Sequence, residues 1–348
     1  MLDNTYFNKL LTHPQIPETN RSQIFVGTLC NYNCQFCYYG SKLNLPNSTS
    51  KVLEQLDFVH NYGIKDIEFT GGEPSIDPNW FNWLQYASKK FRHISTITNG
   101  YKFKDYNFTK KSRDCGLSEI LFSLHGYDEE SHEKITRKKG SWNDILKAIK
   151  NAKKLHIITR INVTVCNLNY QYLERQVPLL NKIKPLGLNY IALNYWEDAI
   201  HNNNDIPYEL IGEHIEKAIN SLDKTNIKYI NIRYLPFCFI HRKYHKYVCG
   251  WHQHTYDYWD WNNALKVLPS LKITLNSTEY ANEIRNSVYS KKNECIKCKY
   301  VAICDGIEKK LMDNNKVYPL KGDIIKDPLV FRKDYCTLEG YLEDICQK

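Results

Sequence analysis

Three cysteines crowd one short stretch, Cys30-Asn-Tyr-Asn-Cys34-Gln-Phe-Cys37, directly after a β-rich run. A four-iron cluster ordinarily takes four Cys ligands, so three thiolates from one loop would leave one iron free to bind something else. Zinc with an open or histidine-filled fourth position is compatible with Cys34-x-x-Cys37 as well. Buried, unreactive thiols are the third reading, because free Cys is often buried. Further on, Phe69-Thr70-Gly71-Gly72-Glu73-Pro74 closes a second β-rich run. Paired glycines let a ligand approach the backbone closely, and Glu73 offers an acceptor to a cationic amine. The same four residues also read as a tight turn.

A second group lies late in the chain: Cys238 and Cys249, then Cys295-x-x-Cys298 and Cys304. Four of these five would complete a cluster with no exchangeable iron. His241, His245, His252 and His254 lie among them and keep a structural zinc site open. Cys336 and Cys346 are late ligands or spectators, and Cys115 and Cys166 stand alone.

The first group resembles the radical S-adenosylmethionine (SAM) superfamily, whose CxxxCxxC motif with an aromatic before the last cysteine corresponds to Cys30, Cys34, Phe36 and Cys37. Gly71-Gly72-Glu73-Pro74 falls where that family places its second strand. The resemblance implies a [4Fe–4S] cluster on the three cysteines with SAM on the fourth iron, a partial (β/α)6 TIM-like barrel, and SAM contacts from Phe36, Gly71, Gly72 and Glu73. It extends less specifically to Asn99 at the end of a third strand, to Ser123 as a ribose contact, and to Arg137 near the methionine carboxylate. The late cysteines look like a twitch or SPASM extension carrying one auxiliary [4Fe–4S] cluster, with two possible. The pattern is incomplete, since Glu308 stands where a full SPASM pattern has a cysteine. The activity implied is reductive cleavage of SAM to a 5′-deoxyadenosyl radical that takes hydrogen from substrate, fed by an external donor such as flavodoxin or ferredoxin. The substrate group implied first is a peptide or protein side chain, and second a small alcohol, sugar or aminocyclitol. Only 29 residues precede Cys30, which leaves no room for a leader-peptide-binding domain and weakens the peptide reading.

These residues need a scaffold, and the hydrophobic period supplies one. Strands are expected at 24–29, 66–70, 93–98, 119–124, 160–165 and 190–194. Helical spacing links Val52, Leu53, Leu56 and Val59; Trp80, Trp83, Leu84 and Ala87; Trp142, Ile145, Leu146, Ile149 and Ala152; and Leu173, Val177 and Leu180. One more helix through Leu210, Ile215, Ile219 and Leu222 precedes a strand-like 229–235. Strands alternating with helices indicate a parallel sheet, in which the loops after the strands carry the chemistry. From Pro236 the alternation fails, with turn signals at Asn262-Asn263 and Asp305-Gly306. The expected organisation is an N-terminal extension over 1–21, a barrel over 22–235 and a smaller irregular α+β, cysteine-rich domain over 236–348.

At 348 residues, 42% apolar and 24% charged, the chain is an ordinary globular one, which excludes disorder and coiled coil. No apolar run nears the ~20 residues of a membrane span, and the N-terminus lacks the order of a signal peptide. A cytoplasmic location is expected, and there twelve cysteines speak for metal rather than disulfides. The net charge of +9 is modest for this length, and Arg242-Lys-Tyr-His-Lys-Tyr247 is too short a basic aromatic run to make nucleic acid more than a remote partner. A non-catalytic iron–sulfur or zinc protein is the corresponding alternative. Asp257 and Asp260 are carboxylates of the later region with no spacing that marks a catalytic role.

Overall fold

The computed structural model describes residues 2–37, 39–40, 49–193, 205–259, 265–268, 273–335 and 337–346. Eight strands form one parallel sheet in strict chain order: β1 (Arg21–Phe25), β2 (Asp66–Thr70), β3 (His93–Thr98), β4 (Glu119–Ser123), β5 (Ile158–Val165), β6 (Gly187–Ala192), β7 (Tyr229–Arg233) and β8 (Val248–Cys249). After the short α1 (Thr5–Asn8), the crossovers carry α2 (Thr49–Asn61), α3 (Trp80–Ala87), α4 (Tyr106–Asp114), α5 (Glu129–Thr136), α6 (Ser141–Lys154), α7 (Leu173–Ile183) and α8 (Tyr208–Ser221). This is the curled, partial barrel expected from the alternation. The strand-like run after residue 228 joins the sheet as β7, and β8 adds an eighth strand too short to show a period.

Each long helix buries the stripe its sequence spells. In α6, Ile145, Ala148, Ile149 and Ala152 are buried at spacings of three and four. By contrast α4 and α5 carry almost no apolar stripe; what starts them is a cap. Asp105 accepts from the Phe108 amide, and Asp128 and Ser131 form a reciprocal capping box.

The remaining chain forms α9 (Trp251–His254), a hairpin of β9 (Leu265–Leu268) and β10 (Ile273–Asn276), α10 (Ser277–Ser287), a small pair of β11 (Tyr289–Ser290) and β12 (Ile307–Glu308), and α11 (Leu338–Cys346). One apolar cluster runs from Ile24 on β1 to Ile307 and Val317, so barrel and later segments share a core. No helix among the described residues is long and apolar enough to cross a membrane.

The N-terminal ends of the first strands are closed by charge. Glu119 accepts from Arg21 at 2.9 Å, from Arg160 at 2.5 Å and lies 2.7 Å from His93, while Glu68 lies 3.3 Å from Arg160. All five are at most 1% exposed. Trp259 and Tyr341 of α11 stack over this network, and the Tyr341 hydroxyl donates to Asp66 at 2.9 Å. Charge at this end reads as stability, because chemistry in such barrels sits at the opposite face.

Candidate functional site

At the C-terminal ends of the strands the first cysteine loop leaves β1. Backbone bonds lash it to the end of β2: the Gly72 amide donates to the Gly27 carbonyl at 2.9 Å and the Glu73 amide to the Leu29 carbonyl at 2.7 Å. Gly71 has φ +140°, and a Cβ there would stand 2.2 Å from the Gly27 oxygen. A Cβ on Gly72 would stand 2.2 Å from the Leu29 oxygen. The glycines therefore permit a close approach by the chain's own loop, at Gly27 and at Leu29 directly before Cys30. The sequence shows that something must come near; only the pairing shows what.

Glu73 is 1% exposed and its two oxygens are already engaged. Oε1 accepts from the Ser75 amide and hydroxyl and from the Thr98 hydroxyl at 2.7 Å, and Oε2 accepts from the Asn99 amide at 2.7 Å. Burial pushes its carboxyl upward against these four donors. The result ties the ends of β2 and β3 together and aims Asn99, whose Nδ2 donates to Asn31 at 3.0 Å and reaches the Cys30 sulfur at 4.0 Å. The backbone of Tyr32 also donates to that sulfur at 3.4 Å.

Burial pushes the Cys30 thiol up to about 12, and Cys34 is raised well above its ordinary range by burial and by its neighbours Cys37 and Cys30. Thiols placed as those of Cys30 and Cys34 ionise when positive charge stands beside them, which an iron core would supply on binding. Arg137, exposed at the end of α5 with φ 52°, lies near enough to favour the Cys34 thiolate. Phe36 packs edge-on to His125 at 4.6 Å within a small cluster with Ile135 and Cys166. Ser123 ends β4 beside Asn162. All seven residues proposed around SAM thus lie on or next to the strand ends that surround the loop.

His125 stacks on His132, and burial holds both imidazoles neutral; His132 is held down at about 4. A folded pKa below the unfolded value near 6.5 contributes stability present above pH 6.5 and lost as pH falls toward the folded pKa. Acidification of the apoprotein from pH 6.5 to 5 is expected to cost about 2 kcal/mol through His132 alone, at 1.36 kcal/mol per unit. Urea midpoints at the two pH values check it: His132→Gln should flatten the slope, and an unchanged slope would contradict the assignment.

A feature that motif reasoning missed runs along the interior of β5, β6 and β7. Asn162, Asn189 and Asn231 occupy one register, and their amides hand on hydrogen bonds: Asn231 Nδ2 to Asn189 Oδ1 at 3.0 Å, Asn189 Nδ2 to Asn162 Oδ1 at 2.7 Å. Arg332 anchors the row, donating to Asn231 and to Asp257, both at 2.8 Å. The signal was an asparagine inside each of three apolar strands. Asp257 also accepts from the Trp259 amide, so it is a capped turn and an ion-pair partner. Asp260, Asn262-Asn263, Asn194 and Cys336 lie outside the described residues.

The later cysteines divide. Cys238, Cys295, Cys298 and Cys304 line one cavity, together with Lys291 and Tyr300. Cys249 does not line it; it lies buried on β8 next to Arg233 of β7. Cys346 is exposed at the end of α11, and Cys115 is buried in the core. No histidine lines the cavity among the described residues. His245 Nε2 donates to the Phe237 and Ile240 carbonyls, His252 pairs with Asn282, His254 with Arg233, and His241 caps a turn. Tyr244, His245 and Tyr247 of the basic aromatic run are buried, which removes the stacking surface a nucleic acid would need. Among the described residues no three His, Cys, Asp or Glu side chains gather tightly enough to share one ion, as the ~2.3 Å bonds of zinc to thiolates require. Four thiols spread around a cavity fit a body larger than one ion. Burial raises Cys238 and Cys304, and Cys295 up to about 11, with neighbouring thiols adding to it at Cys238 and Cys295. Glu308 pairs on β12 with Tyr289, outside that wall.

Sequence and structure comparisons agree with this geometry. The profile of the Radical SAM superfamily matches residues 24–176. The antilisterial bacteriocin subtilosin biosynthesis protein AlbA of Bacillus subtilis is 26% identical over 181 residues, covering 51% of this chain and 39% of AlbA. A probable GTP 3′,8-cyclase of Thermoplasma volcanium is 28% identical over 202 residues, covering 57% of this chain and 61% of the cyclase. The chain thus spans less than two thirds of these relatives. Streptococcus suis SuiB bound to its precursor peptide SuiA shares the fold over 92% of this chain and 76% of SuiB, at a TM-score of 0.59 and 13% identity. SuiB bound to S-adenosylmethionine superposes over the same share at 0.57.

Proposed function

We propose that this chain, whose residues 24–176 match the profile of the Radical SAM superfamily, is a radical SAM enzyme that modifies or oxidises a side chain of a peptide or protein. When bound, the [4Fe–4S] cluster and SAM supply reductive cleavage to methionine and a 5′-deoxyadenosyl radical that takes a hydrogen atom from substrate. Cys30, Cys34 and Cys37 hold that cluster. Phe36, Gly71, Gly72, Glu73, Asn99, Ser123 and Arg137 form the SAM side, with Gly71, Gly72 and Glu73 acting on the loop as much as on the ligand. Cys238, Cys295, Cys298 and Cys304 hold one auxiliary cluster, and Cys249 is not among its ligands.

The observation that carries the peptide reading is the shared fold with SuiB, which runs through the later cysteine region as well as the barrel. The curated relatives name dissimilar products, a bacteriocin and a cyclised nucleotide, and match 51% and 57% of this chain. The interior asparagine row suits peptide groups, since each amide both donates and accepts. It suits a sugar or aminocyclitol too, so small-alcohol oxidation is the second reading.

The test is formation of 5′-deoxyadenosine under a strong reductant, with candidate peptides and small alcohols added in turn. Peptide-stimulated turnover with deuterium passing from a labelled side chain to deoxyadenosine supports the proposal. Transfer only from a labelled alcohol replaces it, and no deoxyadenosine with both clusters loaded refutes the enzyme reading. A peptide substrate and an external low-potential electron donor are the partners this reading requires.

A further inference from the structure

The cavity faced by Cys238, Cys295, Cys298 and Cys304 has one charged side chain in its described wall, Lys291. Lys291 is 1% exposed. Its ammonium donates to the side-chain oxygen of Asn4 and lies 4.8 Å over the ring of Phe7. Behind Cys304, the fully buried Arg285 donates to the Ala302 and Cys304 carbonyls at 2.7 Å each and stands 3.0 Å from Asp305. Arg285 is thus paired with a buried carboxylate, whereas among the described residues no carboxylate lies within ion-pair distance of Lys291.

Burying an ammonium with incomplete compensation costs several kcal/mol, and an apolar side chain would close this wall at less expense. The arrangement is nevertheless built deliberately. Leu2 pairs with Lys291 through two backbone bonds of 2.9 Å, and Asn4 donates to the carbonyls of Arg285 and Asp305. The first residues of the chain are a strap whose contacts converge on the two cations. Negative charge in the cavity is what repays them, and four thiolates around a cluster provide it.

We propose that Lys291, held by Asn4, is a fixed counter-cation of the auxiliary cluster that raises its reduction potential. The inference rests on the reading of the four thiols as cluster ligands. Adding an electron beside an ammonium in a low-dielectric wall is favoured, and net charge and exposure are among the levers that set such potentials. At the first site the nearby cation, Arg137, is exposed and screened by water. The two clusters are therefore separated in potential, with the later one the easier to reduce. That ordering suits an electron acceptor for substrate oxidation and not a second site of SAM cleavage.

The experiment is an anaerobic redox titration of the reconstituted full chain, followed by electron paramagnetic resonance, on wild type and on Lys291→Met, Lys291→Gln and Lys291→Arg. The Cys30/Cys34/Cys37→Ala background isolates the later signal. The neutral variants should make reduction of the auxiliary cluster at least tenfold less favourable, about 59 mV for one electron. The signal of the first cluster should stay in place, and Lys291→Arg should keep the wild-type potential. An unchanged potential in Met and Gln, or equal shifts at both clusters, overturns the role. Should both neutral variants lose iron, retention by Arg at the wild-type potential still supports it, and loss in all three overturns it. Failure of the ligand reading looks different: the later site of the wild type then holds no iron at all.

Discussion

Gly72→Ala is expected to abolish reductive cleavage of SAM although it removes no thiol. The added methyl would sit 2.2 Å from the Leu29 oxygen and 2.6 Å from its carbonyl carbon, both backbone atoms with no rotamer to retreat into. Relief requires that the strand end move away from residues 27–29, which breaks the bond from the Glu73 amide to Leu29. Overpacking of this kind costs about 1–3 kcal/mol. The larger effect is geometric, because Cys30 follows Leu29 directly and Asn99 is aimed at it through Glu73. A displacement of ~1 Å in a reacting constellation costs on the order of 10²-fold in rate. Loss of iron from the first site with retention at the later one is the expected signature. Wild-type deoxyadenosine formation by this variant would show that the glycines do not set the loop. Gly63→Ala controls for general destabilisation: its φ of +96° strains an alanine, but nothing lies within 4 Å of a Cβ there, so iron and activity should persist.

Glu119→Ala is expected to be the most destabilising single change at the opposite end. It leaves Arg21 and Arg160 buried, with the Glu68 carboxylate 4.0 and 3.3 Å away. Removing one partner of a buried ion pair costs about 3–5 kcal/mol, because the remaining charge is uncompensated. The same carboxylate sets the acid limit. Arg160 and Arg21 hold Glu119 well below the usual carboxylate range despite its burial. Its stabilisation is therefore complete above the unfolded value near 4.3 and is lost as pH falls through the folded value. Urea unfolding at pH 7 measures the first effect. A cost under about 1 kcal/mol would mean that the network is a weak one, as exposed pairs are.

What the sequence disclosed follows from the range of each signal. Periods of two and 3.6 are local, so the strands of the barrel and α2, α3, α6, α7 and α8 were legible from Ile67 and Phe69 or Ile145 and Ile149 alone. Helices α4 and α5 were not, because Thr109, Ser112 and His132 are poor markers of a buried face and only their caps betray them. Strand β8 has two residues and no period to read. The motif residues were all legible as types, yet the use of Gly71, Gly72 and Glu73 was not. Their backbone partners Gly27 and Leu29 sit more than forty residues away in the loop after β1, and the side chain of Glu73 reaches across to the end of β3. Likewise five late cysteines look alike in sequence, and only the folded chain shows that four of them line one cavity while Cys249 lies on β8. Lys291 and Asn4 are separated by nearly the whole chain, which no spacing argument reaches.

The central claim is that two thiol sets hold separate clusters. It is tested most directly by iron per chain after anaerobic reconstitution of three proteins: wild type, Cys30/Cys34/Cys37→Ala, and Cys238/Cys295/Cys298/Cys304→Ala. About eight irons in the wild type and about four in each variant are predicted, with SAM cleavage surviving only where the first set is intact. No iron in the first variant beside about four in the wild type would contradict the account, leaving the late cysteines a metal-free or zinc scaffold.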